Sequence, residues 1–172
     1  MENSQPKTGQ FALIYGLILG TVGIAFSLML YFMDLTYQQS WANSVVGIAI
    51  LVAVVVIGVF QYKKANGGFL TLAQALKVGM GVALVGALIS VVYTMIFTSV
   101  IEPEFWDKTF EASKAAMLEN SKLTPEQVDA TIAQQRQFYW MTYPFILITN
   151  IFLGFITALI AGLIMKKAPS EY

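Results

Sequence analysis

Apolar residues fall in four long runs along this chain, and nearly every charge falls between them. The runs extend from Phe11 to Met33, Ala42 to Phe60, Val78 to Ile101 and Phe145 to Met165, with Asn43 and Asn150 as their strongly polar interruptions. Each is long enough to cross the ~30 Å hydrocarbon core of a bilayer, which takes ~20 residues at helical rise. Lipid offers a backbone no hydrogen bonds, so such stretches must be helices. The pattern predicts an all-α integral membrane protein with four transmembrane helices.

Local signals set the ends of the elements. Thr71-Leu72-Ala73-Gln74 has the capping-box pattern and follows the flexible turn Asn66-Gly67-Gly68, so the third helix is expected to start there. From Leu72 to Ile101 such a helix is ~45 Å long, which means tilt or protrusion. Beyond it, Pro103 suits a first helical turn, and Trp106, Phe110 and Met117 recur at near-helical spacing to about Glu119. Asn120-Ser121-Lys122 breaks that helix. Thr124-Pro125-Glu126-Gln127 then opens another, with Thr124 as N-cap and Pro125 at the first position. Pro144, lacking an N–H, should kink or interrupt the junction with the last span. The expected division of a single membrane domain is tail 1–10, spans 11–33, 42–62, 72–101 and 139–165, an amphipathic helical hairpin over 102–138, and tail 166–172.

Charge placement sets the expected orientation. Short cytoplasmic loops carry the excess of Lys and Arg. Lys7 precedes the first run, Lys63 and Lys64 lie between the second and third, and Lys166 and Lys167 follow the fourth. The connection from Asp34 to Trp41 has no basic residue, and 102–138 is net acidic. Both termini are therefore expected in the cytoplasm, with the hairpin outside. The first run is too long for a signal peptide and lacks an A-x-A-like site after it, so it reads as a retained helix. Lys77 lies near the cytoplasmic end of the third helix, where its stem can snorkel to the headgroups.

Composition narrows the chemistry. Ten basic residues balance ten acidic ones, so net charge points to no nucleic-acid partner. Cysteine and histidine are both absent, which removes the thiol nucleophile, the commonest metal ligand and the usual near-neutral acid/base. Glu102, Glu104 and Asp107 are close in sequence but match no metal-site spacing. The residues predict no catalytic, cofactor or metal site and no enzyme.

Helices associate in lipid by close contact, so small residues mark their interfaces. Ala12, Gly16, Gly20, Gly23 and Ser27 form a stripe on the first span. Gly79, Ala83, Gly86, Ser90, Thr94 and Thr98 form one on the third, and Asn150, Gly154, Ala158 and Ala161 one on the fourth. These three stripes are expected to converge in a compact antiparallel bundle, with the valine-rich second span turned more to lipid. Asn150 is expected to hydrogen-bond across to a neighbour such as Thr94 or Ser90, the alternative being a solute or ion site. On the hairpin, Trp106 and Phe110 are the candidate contacts for a partner.

The GLILG-bearing first span, the turn KKANGGFLTLAQALKVG, the outer segment IEPEFWDKTFEASKAAMLENSKLTPEQ and the small-residue last span ending in KK together resemble the bacterial membrane proteins grouped as domain of unknown function 4199. The resemblance covers nearly the whole chain and implies an inner-membrane location and four helices. It implies no activity, so no catalytic residue comes with it. Residues and resemblance together predict a non-enzymatic accessory or envelope component acting through protein or lipid contacts, as a partner's subunit or a homo-oligomer. A small transporter or channel is the alternative.

Overall fold

The computed structural model describes residues 6–38, 40–120 and 122–167. Parts of both expected tails and Ser121 of the expected break lie outside the described residues. Those described form six α-helices: α1 (Thr8–Phe32), α2 (Trp41–Ala65), α3 (Leu72–Ile96), α4 (Phe105–Asn120), α5 (Pro125–Gln137) and α6 (Thr142–Met165). A π-helical turn, Phe97–Ile101, prolongs α3, and a 3-10 turn, Tyr139–Met141, precedes α6. Four helical segments, Thr8–Phe32, Trp41–Ala65, Leu72–Ile101 and Tyr139–Met165, are long and apolar enough to cross a membrane. This is a multi-pass membrane protein.

The helix ends follow from local chemistry. The Thr71 hydroxyl accepts from the Gln74 N–H at 3.2 Å while the Gln74 side chain accepts from the Thr71 N–H at 2.9 Å. Thr124 and Gln127 make the same reciprocal pair at the start of α5, so both segments begin with their first backbone donors satisfied. At the other end of α1, Asp34 takes a left-handed φ of 56°. Its N–H reaches Tyr31 O at 3.1 Å and the Leu35 N–H reaches Leu30 O at 2.9 Å, a Schellman closure. At the end of α2 the Gly68 N–H reaches back to Lys63 O at 2.9 Å, with Gly67 at φ 67° and Gly68 at φ 86°, positions that suit residues without a Cβ. Pro144 lies in the first turn of α6, where its missing N–H costs nothing. The junction is interrupted just before it, by the 3-10 turn Tyr139–Met141.

Packing is centred on α3, which lies between α1 and α6, while α2 touches all three. The small residues do two different jobs. On α1, Gly16 and Gly20 leave hollows for Val85 and Ile89 of α3, and Gly86 of α3 takes Leu19 of α1. Between α3 and α6 the fit is small against small: a Cβ on Gly79 would overlap Ala158, and one on Gly154 would overlap Ala83. Backbones brought this near gain the dispersion contacts that hold helices together in lipid.

The core is strongly one-sided. Buried residues of α1 end at Gly20, those of α2 begin at Leu51 and those of α6 begin at Gly154. Tyr62, Val55, Val59, Val78 and Val82 are completely enclosed there. The second span, expected to face lipid, thus supplies much of the core with its last half and none with its first. The packed end is also tied by a backbone pair, Leu70 N–H to Lys167 O and Lys167 N–H to Leu70 O, both at 3.0 Å. At the opposite end the spans meet α4 and α5.

Candidate functional site

Two of the concave features bring together residues singled out in the sequence, one beneath α4 and α5 and one among the spans. Helix α4, which supplies one wall of the first, is anchored by a carboxylate gripped from two sides. Glu102 follows the π-helical turn, where its N–H reaches back to Phe97 O at 2.8 Å, an i→i+5 bond. Lys108 of α4 lies 2.6 Å from Glu102 Oε1, and the Tyr31 hydroxyl of α1 donates to Oε2 at 2.8 Å. The Glu102 side chain is only 12% exposed. The Lys108 ammonium, and after it the Tyr31 hydroxyl, hold its carboxyl below the usual carboxylate range, and the same contact raises the Lys108 ammonium. Rings of Tyr31, Phe97, Phe105 and Trp106 follow one another edge to face beside it, with centroids 5.2–5.6 Å apart. The network pins the first turn of α4 to α1 and α3.

From there α4 packs on α5. Phe110, Val128 and Ile132 form a small core with Trp106 and Met117 against it, and two exposed ion pairs, Lys114 to Asp129 at 2.5 Å and Arg136 to Asp107 at 2.6 Å, flank it. Such exposed pairs fix register more than they stabilise. Below this pair of helices opens an apolar pocket of about 560 Å³, with Trp106, Phe110 and Ser113 on one wall and Phe138, Phe145 and Ile148 on the other. Phe145 and Ile148, each 67% exposed, continue onto the outward face of α6. Trp106 stacks on Phe110 and meets Tyr139 at 5.3 Å. Phe110 is 8% exposed, so it serves α4–α5 packing first and reaches another molecule only through the pocket wall.

The second feature is a crevice of about 340 Å³ among all four spans, reaching from Leu19 and Leu51 toward the α4–α5 end. Gly23, Gly86, Ser90 and Asn150 line it together with Ser44 and Thr149. Asn150 does not pair with Thr94 or Ser90: its Nδ2 donates to Ile146 O of its own helix at 2.8 Å. Ser90 likewise donates to Gly86 O at 3.0 Å, and Thr94 to Ser90 O at 2.8 Å. The helix itself holds a carbonyl one turn back within reach, and it satisfies the donor without desolvating a second group. Among the described residues, the one side-chain hydrogen bond joining two spans is Tyr93 to Ser27, at 3.3 Å. Gly79, Gly154 and Ala158 lie apart from both features, in the α3–α6 contact.

Sequence reasoning reached Trp106, Phe110, Ser90 and Asn150 but not what joins them. The Tyr31–Glu102–Lys108 contact had one local sign, an acid directly after a span and a lysine six residues on. No pattern signals the π-helical turn or the crevice. Chemically, the carboxylates of 102–107 are engaged by Lys108 and Arg136, and among the described residues no group of three or more acidic side chains could hold a metal ion.

Residues 14–167, most of the chain, match a family described as protein of unknown function (DUF4199). No curated protein and no solved structure matches the chain.

Proposed function

The chain belongs to the DUF4199 family, and from that premise we propose that it is a non-enzymatic accessory component of the bacterial inner membrane. On this reading the four spans are an antiparallel bundle with both termini in the cytoplasm. Helices α4 and α5 are an extracytoplasmic hairpin that receives an apolar segment of a protein partner. Lysine placement supports the orientation: Lys63 and Lys64 end α2 and Lys167 pairs with Leu70, so these cations share the packed end.

The observation that carries the reading is the pocket of about 560 Å³ beneath Trp106. It has the size and apolar lining of a binding site, and its aromatic wall is held in place by contacts to α1 and α3. Engaged carboxylates and the lack of histidine and cysteine leave this end suited to recognition rather than to bond-making. The test is mild crosslinking in native membranes followed by purification. A stoichiometric partner is expected, and Trp106→Ala should release it while leaving helix content unchanged. Recovery of the same complex from Trp106→Ala would refute the reading.

The crevice favours a second reading, a small transporter or channel. Its neutral polar groups lie at membrane depth, where such groups mark substrate paths. Solute-dependent thermal stabilisation reduced by Asn150→Ala is its signature.

A further inference from the structure

We propose that the crevice among the spans is a binding site for an uncharged, hydroxyl-bearing amphiphile drawn from the surrounding lipid. Three independent features of the crevice converge on this. Its lining combines apolar walls, such as Leu19, Phe26 and Ile48, with Ser44, Ser90, Thr149 and Asn150, and it contains no charged side chain. At about 340 Å³ it falls within the ~300–1,000 Å³ range of small-molecule sites, which are mostly apolar with a few polar groups. An ion would meet no countercharge here, and a pure hydrocarbon would leave the polar groups unused.

The hydrogen bonds indicate which chemistry is wanted. Ser90 gives its one hydroxyl proton to Gly86 O, and Asn150 gives an N–H to Ile146 O. Each keeps acceptor capacity, a hydroxyl oxygen in one case and an amide oxygen in the other. A ligand carrying O–H donors complements that set.

Two glycines indicate that the space is kept open. Gly16, Gly20 and Gly86 each meet a neighbouring side chain so closely that no Cβ would fit, whereas a Cβ on Gly23 or Gly47 would meet nothing within 4 Å. Glycine inside a helix costs about 1 kcal/mol relative to alanine, and at these two positions no contact within the chain compensates. Both line the crevice. Access lies along α2, none of whose residues from Trp41 to Ile50 is buried and whose Ile48, lining the crevice, is 44% exposed.

The test uses the full chain in phosphatidylcholine nanodiscs, with thermal unfolding followed by tryptophan fluorescence. The probes are 1-monooleoylglycerol, oleate and methyl oleate, which share a chain and differ in head group. Saturable stabilisation by monooleoylglycerol, with little effect of the anion or the ester, is expected. Asn150→Leu should weaken it about tenfold, the loss of one buried hydrogen bond. Gly47→Leu should fill the crevice and abolish the effect, and Gly23→Leu provides the same test if Gly47→Leu does not fold. Equal stabilisation by methyl oleate, no stabilisation by any probe, or an undiminished response in a folded crevice-filling variant would each overturn the proposal. None of these outcomes bears on the partner pocket beneath Trp106, which lies outside the crevice.

Discussion

Glycines that look alike in the sequence differ by what stands opposite them. Gly79 and Gly154 face Ala158 and Ala83 across the α3–α6 contact, with no room for a Cβ, while Gly23 faces open space. Gly79→Val or Gly154→Val should destabilise the protein by about 1–3 kcal/mol, the cost of overpacking. Gly23→Ala should leave thermal unfolding within a degree or so of the parent, or raise it slightly through helix propensity. Equal losses at Gly23 and Gly79 would show that the contact asymmetry is not what matters. Spacing of three and four residues puts Gly16, Gly20 and Gly23 on one stripe, but only the neighbour's side chain distinguishes them. Asn150 is legible as a polar residue in a span; that its amide turns back to Ile146 was not, because a helix always offers that competing acceptor. At the Schellman turn, Asp34 holds a left-handed φ of 56°. Asp34→Gly should therefore stabilise by up to about 1 kcal/mol, measured by chemical or thermal unfolding, since glycine carries no Cβ penalty there.

The α4–α5 pair stands on two local devices, a cap and an ion pair. Thr124 and Gln127 cap α5 reciprocally, so Thr124→Ala should cost about 1 kcal/mol of local stability and raise amide exchange in the first turn of α5. Unchanged exchange there would mean tertiary packing alone orders the helix. Glu102 anchors α4 with a carboxyl held below its ordinary value of 4.5 by Lys108 and Tyr31. A lowered pKa in the folded state means this contribution is complete above the ordinary value and is lost as pH falls through the lowered one. Thermal stability of the wild type should accordingly drop on acidification below about pH 4.5, and Glu102→Gln should start lower and show a shallower acid dependence. Matching acid profiles in the two proteins would assign the pH response elsewhere. Both caps were legible because a capping box is contained in four residues. The Glu102 contact was not, because Tyr31 lies 71 residues away and the π-helical turn that aims the carboxylate has no sequence signature.

As a whole the molecule is tight at one end and open at the other. Hydropathy alone places four spans, since lipid imposes one backbone solution on any long apolar run. Which halves of those spans meet is decided by side-chain fit, and valine-rich α2 shows it: its last half is core and its first half lies beside the crevice. Amides around Val55, Val82 and Ala158 should therefore exchange far more slowly than those of Ser44 to Ile48, as few contacts cover the latter. The working surface, on this account, is at the open end, beneath Trp106. The most direct measurement is photocrosslinking in native membranes from a benzophenone side chain at position 145, on the pocket wall and 67% exposed, beside a control at Phe152, 60% exposed on α6. The account predicts a discrete protein adduct from position 145 and only lipid adducts from position 152. Lipid adducts alone from both positions would contradict it.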